Sequence, residues 1–190
     1  MKKQICGDPF AFPTPIFIVA TYSEDGTPNA MNAAWAGVSV SKPACITVSI
    51  QKVRKTYENI MNLQEFTINI PSKKYIKESD YFGMISGYKS NKFAATGLTA
   101  IKAENVNAPY IEEFPVNIEC KVKNVTEVGT HFVIIGEIVN VIADEECFNE
   151  KGKVTLESVD TIIFDPINRA YHEIGTVVGK AFSIGKEFIK

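Results

Sequence analysis

Residues 49–57 carry the side-chain types that hold an anion. They read SIQKVRKTY, so a strand-like run ends, three cations follow, and Thr56 is placed to cap a helix. A helix N-terminus offers free N–H donors and the positive end of its dipole, and an arginine adds a planar fork suited to phosphate. The segment is a candidate phosphate site. The alternative is a solvated basic turn with an ordinary Thr56 cap.

A second segment, residues 89–93, reads KSNKF and gathers similar chemistry. Ser90 is predicted to cap a helix over residues 91–96, which ends at Gly97, a residue type expected just past a helix. Two such caps in one small protein would hold a ligand phosphate from two sides, with Lys92 as a further cation. The alternative is a capped surface helix whose Lys92 lies in solvent.

A third segment, residues 26–35, reads GTPNAMNAAW and suits a flat ligand. Asn29 and Asn32 are three residues apart, and the small residues around them let a ring approach the backbone. Trp35 either stacks on such a ring or fills the core, and its residue type favours the core. His131 opens a strand after a turn. No Ser/His/Asp or Cys/His order is readable, so no catalytic residue is predicted.

Strand signals dominate the elements that must position these residues. The predicted strands cover residues 16–22, 35–41, 44–50, 65–70, 116–122, 131–143, 162–164 and 170–174. Helices are short, at residues 57–61, 75–85 and 91–96, with Thr56, Ser72 and Ser90 as predicted caps. Short strands with hairpin turns favour a closed antiparallel barrel over a βαβ sheet, and no GxGxxG or P-loop motif is present.

Length and charge narrow the class of protein. The 190 residues fit one domain spanning residues 1–190, and 45% of them are hydrophobic. Twenty Lys and Arg against 22 Asp and Glu give a net charge of −2, which argues against a nucleic-acid partner. No run of 18 apolar residues and no signal-peptide pattern occurs, so we expect no membrane span and a cytoplasmic protein.

The cysteines do not form a metal-binding pattern. They lie at positions 6, 45, 120 and 147 without a CxxC pair, and the chain has only two histidines. We therefore expect no metal site and four free thiols. Cys45 and Cys120 stand in strand-like runs and are predicted to be small core residues.

Several motifs in one order resemble the flavin reductase-like FMN-binding proteins, and among them the flavoredoxin branch. They run through most of the chain and are PFAFPTPIFIVAT, EDGTPNAMNAAWAGVSVSKPACITVSI, RKTYENI, EFTINIP, SNKFAATGLT, EFPVNIECKV and GTHFVIIGEIV. The resemblance implies a mainly β split barrel with a Greek-key core and short helical insertions. It also implies a homodimer with one FMN near the subunit interface in each half.

The same resemblance gives roles to the residues singled out above. It implies a phosphate cradle made by Arg54, Lys55 and Thr56 with Ser49 and Ile50. Along the ring and ribityl chain it implies Asn29, Asn32, Ala33, Ala34 and Trp35. Ser90 and Lys92 would reach the cofactor from the second helix cap, and His131 and Phe164 would approach the ring.

Two mechanisms are open within this family. One is an electron carrier of the flavoredoxin type, reduced and reoxidised by protein partners. The other is a flavin reductase that takes hydride from NADH or NADPH. In both, the protein supplies positioning and electrostatics, because the cofactor carries the electrons. A non-redox barrel that binds another phosphorylated ligand is the alternative from a different class.

Overall fold

The computed structural model describes residues 1–5, 7, 9 and 11–189. The strands are β1 Thr14–Pro15, β2 Phe17–Tyr22, β3 Pro28–Ala33, β4 Ala36–Ser41, β5 Ala44–Gln51, β6 Glu65–Ile70, β7 Ala100–Lys102, β8 Pro109–Ile111, β9 Val116–Val128, β10 His131–Ala143, β11 Ile162–Asp165 and β12 Ala170–Glu173. The helices are α1 Lys55–Leu63, α2 Ile76–Met84, α3 Lys92–Thr96 and α4 Leu156–Val159, with 3₁₀ turns at Lys73–Tyr75, Glu145–Cys147 and Ile184–Phe188.

A seven-stranded antiparallel sheet forms the body of the protein, in the order β3-β2-β6-β9-β10-β5-β4. The edge strands β3 and β4 follow each other in the chain but are not neighbours in the sheet. Side chains from both halves, such as Val19, Val48, Phe66 and Ile134, meet in one buried cluster. The sheet therefore closes around its own core and is split between β3 and β4. The predicted mainly β split barrel with short helices is confirmed.

The long β9–β10 hairpin bends to follow the barrel wall. Its register shifts between Ile135 and Gly136 and again between Ile138 and Asn140, and bulges of this kind kink a strand and increase its twist. A Cβ at Gly136 would lie only 2.5 Å from the ring of Phe66. Glycine at this position lets a core aromatic ring fill the inside of the bend.

Strand β2 is buried on both faces, and this fixes where the helices lie. Val19 points into the barrel core, whereas Ile18 and Ala20 pack in a second cluster with Phe82 of α2 and Phe93 of α3. Because strand side chains alternate between faces, one strand can serve both cores. Helices α2 and α3 thus cover the outside of β2 and β3.

The helix starts differ from the three predicted caps. Helix α1 begins at Lys55, so Thr56 lies inside it and its hydroxyl accepts a bond from Asn29 instead of capping. Ser90 does not cap α3, because Asn91 takes that position and its Oδ1 accepts from the Ala94 N–H at 3.1 Å. Ser72 makes no side-chain cap at the 3₁₀ turn that follows it.

The cysteines in the described part of the chain are buried. Cys45, Cys120 and Cys147 are free thiols, and burial raises the pKa of Cys120 to about 12. Cys45 and Cys120 belong to the core as predicted, and Cys6 lies outside the described residues. Among residues 1–5, 7, 9 and 11–189, no group of three His, Cys, Asp or Glu is placed to hold a metal ion.

The helices in the described part of the chain are short. None of them is long and apolar enough to cross a membrane.

Candidate cofactor site

Three adjoining cavities run along the edge strand β3, and Asn32 lines all of them. The inner lobe lies between β3, the first turn of α1, the end of α2 and residues 85–87. The outer lobe lies beside Trp35, Ile50 and His131. The side lobe lies beside Ile16, Phe164 and Tyr171.

These lobes bring together most of the residues that the sequence indicated. The predicted residues on their walls are Asn29, Asn32, Ala33, Ala34, Trp35, Ser49, Ile50, Arg54, Lys55, Thr56, Lys92, His131 and Phe164. Ser90 is not among the lining residues, and its hydroxyl lies 3.3 Å from that of Tyr81.

The uncapped start of α1 forms one wall of the inner lobe. Arg54 precedes the helix in an extended conformation and makes no side-chain capping bond. The first N–H groups of an α-helix have no intrahelical acceptor and carry the positive end of the dipole. Arg54, Lys55 and Thr56 all line the lobe here. This wall is therefore electropositive and rich in donors, which suits a phosphate.

A buried polar pair holds the neighbouring wall in place. The Asn29 Nδ2 donates to the Thr56 Oγ1 at 2.8 Å, and both residues are buried. Because the threonine oxygen accepts this bond, its own proton remains available to a ligand oxygen. On the other side, Gly87 lies so close that an added Cβ would be 2.0 Å from the Asn29 Oδ1. A glycine is needed there if Asn29 is to keep this position.

Lys92 is buried in the wall of the inner lobe, with only 3% of its surface exposed. Its Nζ donates to the carbonyl oxygens of Ala30 at 2.7 Å and Phe82 at 2.8 Å. Phe82 is in the last turn of α2, where carbonyls lack intrahelical donors and attract a cation. Burial, with a smaller contribution from the charge of Arg54, lowers the Lys92 pKa to about 8. The alternative of a solvent-facing lysine is wrong.

Asn32 ties β3 to α2 at the point where the lobes meet. Its Nδ2 donates to the Ser79 carbonyl at 3.1 Å. An added Cβ on Gly83 would be 3.4 Å from the Asn32 Cβ, so helix and strand pack closely. The small residue at position 83 thus lets the helix approach the strand that carries the site.

The outer lobe is open and has an aromatic rim. Trp35 lies at the corner between β3 and β4 and is 38% exposed, so the preference for a core tryptophan is wrong. Its carbonyl accepts from the Ser49 N–H at 2.9 Å, which joins the corner to β5. His131 pairs with Gln51 across the β10–β5 ladder, and its Nδ1 lies 2.9 Å from the Thr130 hydroxyl. Arg54 lines this lobe as well as the inner one.

A pair of aromatic rings, Phe164 and Tyr171, lines the side lobe, and only Phe164 was among the predicted site residues. Phe164 of β11 and Tyr171 of β12 are register partners, and their ring centroids are 5.5 Å apart. The Tyr171 hydroxyl donates to the Asp80 Oδ1 at 2.6 Å. Burial and this carboxylate raise the Tyr171 pKa. The sequence signal for Tyr171 is the predicted strand over residues 170–174, which follows the strand of Phe164 in the chain.

Comparison with known proteins decides the family. The model of the flavin reductase like domain matches residues 10–164. The chain belongs to the flavin reductase-like family. It is 45% identical to the flavoredoxin of Desulfovibrio vulgaris (Miyazaki F), with 98% of this chain and 100% of that one covered and a TM-score of 0.94.

Two further relatives of this family member extend the comparison. The flavoredoxin from Methanosarcina acetivorans is 26% identical over 98% of each chain, with a TM-score of 0.92. The reductase component of the flavin-dependent trigonelline monooxygenase of Acinetobacter baylyi is 32% identical over 68% of this chain and 40% of its own length. These likenesses support a flavin as the cofactor.

The residues present fit a flavin. The uncapped start of α1 and the buried Thr56 hydroxyl suit a phosphate. Gly87 packs closely against Asn29 and closes this end of the inner lobe. Aromatic rings stand at the other ends of the connected lobes, where Trp35 and Phe164 offer flat apolar surface.

Proposed function

We propose that this protein is an electron carrier of the flavoredoxin type that holds FMN in the connected lobes along β3. The observation that carries the proposal is the cationic, uncapped start of α1 in the inner lobe, beside adjoining lobes that carry the aromatic rings of Trp35 and Phe164. A phosphomonoester joined to a large flat ring matches that division. The family and the flavoredoxin likeness support the same cofactor.

In this proposal each wall holds one part of the cofactor. The phosphate binds the first turn of α1 with Arg54, Lys55 and Thr56, and the ribityl chain follows Asn29 and Asn32. The ring lies toward Trp35, His131 and Phe164. When bound, the flavin supplies the electron chemistry. The cations Arg54 and Lys92 favour negative charge on it, so they would assist reduction.

The proposal includes a homodimer. In each subunit, residues 1–190 form one flavin-binding domain. In a single chain, the segment after β12 leaves large apolar side chains uncovered, with Val178 96% and Phe182 100% exposed. Several large apolar side chains exposed along one segment are typical of a surface that another chain covers. A second copy related by a two-fold axis would bury the same surface on both subunits.

An NAD(P)H-dependent flavin reductase is the second candidate. The likeness to a monooxygenase reductase component favours it, and the side lobe beside Phe164 and Tyr171 is where another planar group would lie. A non-redox module that binds some other phosphorylated ligand is the third. The three differ in whether flavin binds and in what reduces it.

Two measurements separate these candidates. Titration of the flavin-free protein with FMN, followed by fluorescence quenching, should show one FMN per chain and weaker binding of riboflavin. Absence of FMN binding would leave the non-redox module. Anaerobic stopped-flow mixing of the FMN-loaded protein with NADH or NADPH should then leave the flavin absorbance unchanged over seconds. Rapid bleaching would identify a reductase.

A further inference from the structure

The loop between α2 and α3 bridges the two walls of the inner lobe. Ile85, Ser86 and Gly87 line the lobe directly. The next residue, Tyr88, reaches across to α1, where its hydroxyl donates to the Glu58 Oε2 at 2.6 Å. The Lys55 Nζ lies 5.9 Å from the centroid of the Tyr88 ring. Two side chains from the first turn of α1 therefore hold the tip of the loop.

The loop fits against the site with little spare room. A Cβ on Gly87 would lie 2.0 Å from the Asn29 Oδ1 and 3.3 Å from the Lys55 Cδ. A turn stiffens the segment, because the Lys89 N–H donates to the Ser86 carbonyl at 2.9 Å. The backbone at position 87 thus closes the inner lobe between β3 and α1, at the end where α1 offers its N–H groups.

We propose that the Tyr88–Glu58 hydrogen bond is a latch that closes the phosphate end of the site, so that it selects FMN over FAD and releases FMN slowly. This inference rests on the proposed function. It assigns a specificity role to two residues on the outer side of the loop, which do not line the lobe themselves.

Ligand chemistry explains why a closed end discriminates between these two flavins. FAD is FMN whose phosphate continues into a second phosphate and an adenosine, so it needs an exit past the phosphate position. The loop tip and the first turn of α1 meet where that exit would be. A terminal monophosphate needs neither the space nor the passage.

The Tyr88–Glu58 bond is strong enough to favour the closed position of the loop and weak enough to break when FMN enters. Tyr88 is 54% exposed, and the bond joins a neutral donor to a carboxylate at the surface. Such a bond contributes about 0.5–1.5 kcal/mol, which is about 2- to 12-fold in an equilibrium constant. Opening is needed if FMN is to enter, so the latch acts on residence time as well as on selectivity.

Flavin-free protein of the wild type and two variants tests the latch. Tyr88→Phe keeps the ring over Lys55 and removes only the hydroxyl, and Glu58→Ala removes the acceptor. Tyr110→Phe on β8 is the matched control, because it removes a phenol hydroxyl away from the lobes. Each protein is titrated with FMN and with FAD, and the FMN dissociation rate is measured by displacement.

The wild type should prefer FMN over FAD. Both latch variants should reduce that preference by about 3- to 10-fold and speed FMN dissociation by a similar factor. The variant with both substitutions should behave like either one alone, since both remove the same bond. Tyr110→Phe should match the wild type. Thermal melts of the flavin-free variants within a few degrees of the wild type establish that they fold.

The possible failures are distinct. If the wild type binds neither flavin, the proposed function fails and the latch fails with it. If FMN binds but FAD binds equally well, or if both latch variants keep the wild-type preference and dissociation rate, the proposed function stands and the latch is refuted. Independent, additive effects of the two substitutions would also refute it.

Discussion

Lys92 should make the stability of the flavin-free protein depend on pH. Its Nζ is buried against the carbonyls of Ala30 and Phe82. Burial and the nearby Arg54 lower the Lys92 pKa from 10.5 to about 8. At 1.36 kcal/mol per pKa unit, the folded protein bears a penalty of about 3 kcal/mol for keeping this side chain charged.

The sign of the effect follows from proton counting. Between pH 8 and 10.5 the unfolded chain holds the Lys92 proton and the folded chain has released it. The free energy of unfolding therefore rises with pH across that window, by about 1.4 kcal/mol per pH unit. Below pH 8 both states are protonated, so this contribution is flat.

Flavin binding should show the opposite dependence. A phosphate in the inner lobe favours the charged form of Lys92 and so raises its pKa. Above pH 8, FMN binding then takes up a proton, and the dissociation constant of FMN should rise by up to about tenfold per pH unit. The cation that lowers the stability of the empty protein would in this way strengthen its hold on an anion.

Urea unfolding and FMN titration between pH 7 and 9.5 measure both slopes. Lys92→Met keeps an unbranched chain without the charge, and it should flatten both pH dependences. Lys89→Met, at an exposed lysine on the neighbouring loop, should leave them as in the wild type. If Lys92→Met keeps the wild-type slopes, another group titrates and the role given to Lys92 is incorrect.

Three further outcomes are expected. Arg54→Ala should weaken FMN binding by about 10- to 100-fold and barely affect riboflavin; an equal loss for both ligands would mean that the arginine supports the fold alone. Gly87→Ala should weaken FMN binding, because its Cβ would meet the Asn29 Oδ1, whereas Gly175→Ala, with nothing within 4 Å of the added Cβ, should not. Removing residues 174–190 should reduce the mass in light scattering from two chains to one, and a truncated dimer would point to another interface.

The sequence predicted most of the strands because local pattern and turns decide them. Strands β6 and β10 have the bounds expected from their apolar runs, the first ended by Pro71 and the second opened by the turn at Gly129. Strand β3 has no such pattern. Its residues, PNAMNA, do not alternate between apolar and polar, because Asn29 and Asn32 line the site from opposite faces of the strand.

The features of the site that the sequence did not predict depend on contacts between residues far apart in the chain. The Lys92 environment is set by the Ala30 carbonyl, 62 residues earlier, and no local pattern reveals such a partner. Gly87 matters only because Asn29 and Lys55 lie against it. For Trp35 the residue type alone favours the core over stacking on a ring, but the corner between β3 and β4 places it at the split of the barrel, where it is 38% exposed.

The site lies along β3 because the backbone polar groups of an edge strand need hydrogen-bond partners. Strand β3 ends the seven-stranded sheet, and a covered edge needs partners for its polar groups. Lys92 supplies one to the Ala30 carbonyl, and Asn32 joins the strand to the Ser79 carbonyl of α2. The same two side chains line the inner lobe. The groups that cover the edge are thus the ones offered to a ligand, which is why substitutions at Lys92 should change stability and flavin affinity together.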